Sequence, residues 1–91
     1  MNPLTIIAAI RIGIKDAHKR FHTGGCFQLY RILKHIYPLA EAWYDPIAGH
    51  VYTRIDDGFY DIDGKHEQGG KWHRMSDDEM LLAKAFEWDF Q

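Results

Sequence analysis

The chain has 91 residues, a formal net charge of −2 and a hydrophobic content of 46%. Its length allows one domain, which we expect to span residues 1–91 and to lie near the lower size limit for independent folding. The composition excludes an intrinsically disordered protein, and the charge provides no overall attraction to nucleic acid or to an anionic membrane.

The cysteine content and the hydropathy pattern indicate the cellular compartment. Because Cys26 is the single cysteine, no intrachain disulfide can form and no oxidising compartment is indicated. No segment approaches the roughly 18 consecutive apolar residues of a membrane span. The apolar N-terminal segment lacks the basic region of a signal peptide and is interrupted by Arg11. We therefore expect a cytoplasmic protein that makes no contact with a membrane.

Hydrophobic periodicity predicts two helices in the first part of the chain. In the first helix, which runs to about residue 20, apolar residues recur at steps of three and four: Leu4, Ile7, Ile10, Ile14, Ala17 and Phe21. Asn2 is its expected N-cap, with Pro3 in the first turn. The second helix is predicted over residues 24–37, with Thr23 as its N-cap, and it ends before Pro38.

The pattern then changes to the two-residue period of β-strands. Three strands, over residues 39–44, 50–55 and 59–63, are separated by turn sequences and form an antiparallel meander. Residues 64–74 are predicted as a loop, with one short strand around Trp72 left open. A capping box of Ser76 and Glu79 begins a helix that continues to about residue 87. The predicted fold class is α+β: two N-terminal helices, a three-stranded antiparallel meander and a C-terminal helix.

The second and third strands form a hairpin whose register can be predicted. A two-residue type I′ turn at residues 57–58 would place Arg54 opposite Asp61. This register separates an apolar face from a face with histidine and carboxylates, whereas a one-residue slip would mix them. It also places Asp63 diagonally across from His50. Asp63 is therefore the first candidate to orient the His50 imidazole, and Asp61, the expected ion-pair partner of Arg54, is the second.

Cys26, His50 and an aspartate on the next strand together suggest nucleophilic chemistry. A thiol attacks after losing its proton, and a helix N-terminus or an imidazolium favours the thiolate. A histidine can accept that proton and later return it to a leaving group, while a carboxylate fixes the histidine tautomer. The same residues also have simpler interpretations. Cys26 fits the apolar stripe of its helix as a small hydrophobe, and both aspartates suit a solvated strand face.

The order of cysteine, histidine and acid on helix, strand and strand resembles the papain-like superfamily, which includes transglutaminase-like proteins, NlpC/P60-type amidases and arylamine acetyltransferases. The segments that carry the resemblance are TGGCFQLYRIL and GHVYTRIDDGFYDIDG, and it covers about residues 20–65. Small uncharacterised bacterial and phage proteins are similar in having a glycine–cysteine helix followed by a histidine hairpin. The resemblance implies a minimal papain-like core in which Cys26 is the nucleophile, His50 is the base, and Asp63 or Asp61 is the partner of His50.

Two features depart from the papain-like pattern. Papain-type enzymes have a glutamine six residues before the nucleophile, where this chain has Arg20. The chain is also far shorter than most enzymes of the group. We therefore expect that a partner chain or a homodimer would be needed to complete a substrate site.

Two functions remain open. The first is a thiol hydrolase or acyltransferase that acts on a peptide or another acyl substrate, with no cofactor and no metal. The second is an inactive scaffold that binds a protein partner, as a phage-type inhibitor would. Nucleic-acid binding through the basic residues of the first helix ranks last, and a metal site at His18 and His22 ranks below a solvated helix face.

Overall fold

The computed structural model describes residues 2–22 and 25–88, and these ranges contain four helices and five strands. The helices are α1 (Pro3–Gly13), α2 (Ala17–His22), α3 (Cys26–Ile36) and α4 (Asp77–Trp88). The strands are β1 (Glu41–Asp45), β2 (His50–Ile55), β3 (Gly58–Asp61), β4 (Gly64–His66) and β5 (His73–Arg74). No helix within the described ranges is long and apolar enough to cross a membrane.

The first helix is shorter than predicted, because α1 ends at Gly13 and a separate helix, α2, begins at Ala17. Asn2 caps α1 as expected, and its side-chain oxygen accepts a hydrogen bond from the Leu4 N–H at 2.9 Å. Asp16 has a φ of 56°, a left-handed conformation that cannot continue a helix, and α2 begins directly after it. The two short helices still bring Ile7 and Phe21 into the same core cluster. The apolar stripe is therefore kept although the helix is divided.

The sheet has five strands in the order β4-β3-β2-β1-β5, so the predicted three-stranded meander is wrong. β4 extends the meander beyond β3 and has three residues. β5 has two residues and pairs antiparallel with the outer edge of β1, where Trp43 lies opposite Arg74. Both additional strands lie in the segment of residues 64–74, and β5 directly follows Trp72, around which a short strand was left open. β4 was not predicted, because it is too short to show an alternating pattern.

The β2–β3 hairpin has a different register from the predicted one. Each β2 residue lies opposite a β3 residue two positions earlier than expected: Arg54 pairs with Phe59 rather than with Asp61, and the turn consists of residues 56–57. Asp56 has a φ of 56°, a conformation that aspartate adopts more readily than most residues. Because the displacement is an even number of residues, every side chain keeps its predicted face.

Residues from all four helices pack against one face of the sheet, which we call the helical face. One buried cluster joins α1, α2 and α3 to Ile55 and Tyr60, and a second joins α3 and α4 to Ala42 and Val51. The opposite face, which we call the aromatic face, is formed by Trp43, Tyr52 and Phe59, with Trp72 stacked on it. The aromatic side chains bury a large area each, which helps a small chain to form two packed layers.

The observed N-termini of α3 and α4 match the predictions from the sequence to different degrees. The capping box of α4 is confirmed: the Glu79 N–H donates to the Ser76 Oγ at 3.2 Å, and the Ser76 N–H donates to the Glu79 carboxylate at 3.0 Å. α3 begins at Cys26, two residues later than predicted, with Gly25 as its N-cap. Thr23, the predicted N-cap, lies outside the described residues.

Candidate active site

His50 and Asp61 form a buried pair at one end of the β2–β3 hairpin. His50 is the first residue of β2 and is 7% exposed, while Asp61 is the last residue of β3 and is 2% exposed. The His50 Nε2 and the Asp61 Oδ2 are 3.0 Å apart. Because both side chains are withdrawn from water, this hydrogen bond is electrostatically stronger than an exposed one. It fixes the orientation of the His50 imidazole.

The strand register determines which aspartate reaches His50. The observed register is displaced by two residues from the predicted one, so Asp61 takes the diagonal position expected for Asp63. Asp63 lies in the turn between β3 and β4, and its carboxylate pairs with His18 of α2. The Asp63 N–H donates to the Asp61 Oδ1 at 2.8 Å. Asp63 thus supports, through its backbone, the carboxylate that holds His50.

Cys26 is the first residue of α3, and its position depends on Gly25. A Cβ atom at Gly25 would lie 2.2 Å from the Arg20 carbonyl oxygen, so glycine is required where α2 and α3 approach each other. The Cys26 side chain is half-buried, and its Sγ accepts a hydrogen bond from the Val51 N–H at 3.4 Å. This contact holds the sulfur beside the residue that follows His50.

The surroundings of His50 favour its protonated form. Burial alone would lower the pKa of the imidazole, but the interactions with Asp61 and Cys26 outweigh burial and raise the pKa to about 9. Burial also opposes ionisation of Asp61, yet hydrogen bonds from His50 and His66 hold the pKa of this carboxyl below its usual value. The Cys26 side chain also interacts with the His50 ring, whose Nε2 is used by Asp61. The surroundings of His50 therefore favour an imidazolium, which lies between the Cys26 sulfur and the Asp61 carboxylate.

His66 is a site residue that the sequence pattern did not predict. It is the last residue of β4, and its Nε2 lies 2.7 Å from the Asp61 Oδ1, so one carboxylate serves two histidines. The β3–β4 pairing places His66 opposite Phe59, on the face that carries Asp61. The signal that could have found it is the dipeptide at residues 63–64, an Asp-Gly turn sequence that returns the chain alongside β3.

Aromatic side chains cover the pair of histidines on the aromatic face. The Tyr52 ring packs edge-on against His50, with centroids 4.7 Å apart, and against His66 at 5.3 Å. The Trp72 ring stacks on Tyr52 at 4.0 Å. The loop between β4 and β5, which carries Trp72, therefore covers Tyr52, the ring that packs against His50.

Two other predicted features lie apart from this site. His18 pairs with Asp63, and the side chain of His22 lies outside the described residues. Within the part of the chain that the structure describes, no group of three or more His, Cys, Asp or Glu residues could hold a metal ion. Arg20, which occupies the position of the papain-type glutamine, is exposed, and its guanidinium lies over the Phe21 ring at 5.8 Å.

Comparison with known proteins identifies the family of the chain. A search of the curated proteins finds no match, and a search of the solved structures finds none either. A family model described as "Phage YunG-like protein" matches residues 5–91, which is nearly the whole chain. The description of this family names phage, in agreement with the phage-type protein expected from the sequence. The chain belongs to the Phage YunG-like protein family.

Proposed function

We propose that the protein is a thiol-dependent hydrolase or acyltransferase, with papain-like chemistry, that acts on an amide or a related acyl group. The observation that carries the proposal is the buried His50, which interacts with the Cys26 thiol and with the Asp61 carboxylate. A histidine held between a thiol and a carboxylate is the arrangement that activates a cysteine nucleophile.

Each of the three residues has a defined role in the proposed reaction. In the proposed reactive state the proton of the Cys26 thiol is on His50, so that a thiolate lies beside an imidazolium. The sulfur attacks the acyl carbonyl carbon and forms a C–S bond, and the bond to the leaving group breaks as His50 protonates the leaving atom. Water or an amine then attacks the thioester, His50 accepts its proton, and the sulfur leaves as the thiolate. Asp61 keeps the imidazole in one orientation throughout.

Backbone N–H groups support this proposal at both reacting atoms. The Val51 N–H donates to the Cys26 Sγ, and this contact stabilises negative charge on the sulfur. The first N–H groups of α3 have no acceptor within their own helix, and the helix dipole favours an anion beside them. In the proposed reaction these N–H groups bind the oxyanion in place of the papain-type glutamine.

The rate at which iodoacetamide alkylates Cys26, measured as a function of pH, tests the proposal. We expect the wild type to react well below pH 7, and His50→Ala to react only near about pH 8.5, where an unperturbed thiol ionises. His35→Ala removes an exposed histidine in the last turn of α3 and is the matched control, with the wild-type profile expected. Circular dichroism verifies the fold of each variant first. Alkylation of Cys26 only after unfolding, in all three proteins, would disprove the proposal.

A second candidate function is that of a protein-binding inhibitor on the same scaffold. Several large apolar side chains are exposed, among them Leu39 at 94% and Ile47 at 81%, and the family description names phage. Ile47 lies in the turn before His50, so a protein bound there would also cover the candidate active site. A Cys26→Ser protein that keeps its full biological activity would favour this function over catalysis.

A further inference from the structure

An apolar groove lies between the sheet and α4, next to Cys26. Its lining residues are Tyr44, Val51, Met75, Glu79, Leu82 and Ala83, and its volume is ≈ 280 Å³. Tyr44 and Val51 are directly opposite each other on β1 and β2, where they form the floor of the groove. Cys26 packs against the same cluster of side chains, and its Sγ contacts the Val51 N–H. Val51 therefore both lines the groove and contacts the sulfur that the proposed reaction uses.

We propose that this groove binds the acyl part of the substrate and that this part is apolar. The inference rests on the proposed function, because it is the thioester formed on Cys26 that would bring an acyl group to the groove. The occupant to which we commit is an apolar amino-acid side chain or a short acyl chain attached to the reacting carbonyl.

The charge of the groove supports an apolar occupant. Glu79 is the charged residue in its lining, and its carboxylate is already engaged. One oxygen accepts a hydrogen bond from the Ser76 N–H, and the other lies 3.0 Å from the His73 Nε2. The remaining lining residues present aliphatic, thioether or aromatic surface. An apolar group would therefore bind here without leaving a buried charge unpaired, whereas a charged group would lose its hydration.

The size of the groove limits the occupant further. Pockets for drug-sized ligands have volumes of about 300–1,000 Å³, and this groove lies just below that range. Leu82, at its rim, is 61% exposed, so the groove is open to solvent on that side. A single side chain can enter from there while the rest of the substrate stays outside.

Two alkylating probes separate groove binding from thiol reactivity. Iodoacetamide and N-butyl-iodoacetamide both react by displacement of iodide by the Cys26 sulfur, and the butyl group is their difference. Each fully buried methylene group contributes about a fourfold gain in binding, so a half-buried butyl group gives a gain on the order of tenfold. The rate ratio is the rate constant for N-butyl-iodoacetamide divided by the rate constant for iodoacetamide. We expect this ratio to be higher by this factor for the protein than for N-acetylcysteine.

Adjacent leucines on α4 provide the variant and its matched control. Leu82→Lys places a charge at the rim of the groove. Leu81→Lys changes a neighbour that is 66% exposed and lines a different groove. We expect Leu82→Lys to bring the rate ratio close to that of N-acetylcysteine, and Leu81→Lys to leave it unchanged. The iodoacetamide rate of each variant shows whether the site around Cys26 is intact.

The outcomes distinguish this inference from the proposed function. If Cys26 reacts readily below pH 7 but the rate ratio equals that of N-acetylcysteine, the groove assignment is overturned and the proposed function stands. An equal fall of the ratio in Leu81→Lys and Leu82→Lys also overturns the assignment. If Cys26 does not react in the folded protein, both proposals are wrong.

Discussion

Two His–Asp pairs in this molecule have the same chemical groups and opposite environments. The side chains of His50 and Asp61 are 9% and 3% exposed, whereas those of His18 and Asp63 are 62% and 38% exposed. Water screens the exposed pair, so its interaction contributes little free energy, while the buried pair interacts strongly and raises the pKa of His50 to about 9. Burial, rather than the identity of the two side chains, accounts for the difference in interaction strength between the two pairs.

Replacement of each aspartate by its neutral isostere should separate the two pairs most clearly. Asp61→Asn removes the ionic acceptor of His50 and His66, and we expect it to lower the free energy of unfolding by about 3 kcal/mol. Asp63→Asn, the matched control in the exposed pair, should lower it by less than about 1 kcal/mol. Urea unfolding at pH 7 measures both values. Equal losses would contradict the comparison.

The buried pair should also give stability a dependence on alkaline pH. The pKa of His50 is raised from 6.5 to about 9 on folding, so its stabilisation is complete below pH 6.5 and is lost as the pH rises through about 9. This shift corresponds to at most about 3 kcal/mol. The difference in free energy of unfolding between wild type and His50→Gln should therefore shrink from pH 6.5 to pH 9.5. A difference that stays constant over this range would refute the assignment.

Asp61 should make the stability of the protein depend on pH in the acidic range as well. Its pKa is held below the usual value by the hydrogen bonds from His50 and His66. Its stabilisation is therefore present above the unfolded-state pKa of the carboxyl and is lost as the pH falls through the lowered value. Acid unfolding of Asp61→Asn should accordingly begin from a lower stability but show a weaker dependence on pH than the wild type.

We expect His66 to contribute less than Asp61 to the free energy of unfolding, because His66 is one of several hydrogen-bond donors to the Asp61 carboxylate. His66→Ala should lower the free energy of unfolding by about 1 kcal/mol and slow the alkylation of Cys26 at pH 6. His66→Gln keeps an N–H donor and should restore most of both losses. Urea unfolding and the iodoacetamide rate give the two readouts. If the Gln and Ala variants behave alike, His66 contributes by packing against Tyr52 and not by its hydrogen bond.

The smallest expected effect is the response of the exposed pair to salt. A double-mutant cycle on His18 and Asp63 should give a coupling below about 1 kcal/mol, which falls further in 1 M NaCl because the Debye length there is about 3 Å. The same cycle on His50 and Asp61 should change little with salt. A coupling of the exposed pair that resists salt would mean that burial is not what separates the two pairs.

Features with strong local signals could be predicted from the sequence. The capping box at Ser76 and Glu79 is of this kind, since both partners lie within one helical turn. The division of the hairpin into two faces is another, because every register that differs by an even number of residues preserves it. The break at Asp16 was not predicted, because the apolar stripe continues across it, although Gly13, the last residue of α1, is a weak helix former that could have indicated it.

Which aspartate contacts His50 depends on the register of the strands and not only on the face that each side chain occupies. The sequence predicts Gly58 in the turn, yet it begins β3, where a Cβ atom would lie 2.9 Å from the Tyr60 ring. Glycine is thus needed at this position for close packing rather than for the turn. In the observed register residues 56–57 form the turn, and Asp61 rather than Asp63 is the partner of His50. His66 could not be predicted from the pattern, because the three-residue strand β4 is too short to show an alternation of its own and is recognised by its pairing with β3.

The components of the candidate site are separated by different lengths of chain. Asp61 is 11 positions from His50 and 5 from His66, whereas the contact between Cys26 and Val51 spans 25 positions. Short loops cost less entropy to close, so contacts between near neighbours tend to form earlier in folding. We therefore expect the two histidines and their carboxylate to assemble before α3 docks. A nascent or partly folded chain would then carry an ordinary thiol, which is less prone to acylation or oxidation until the proposed base, His50, lies beside it.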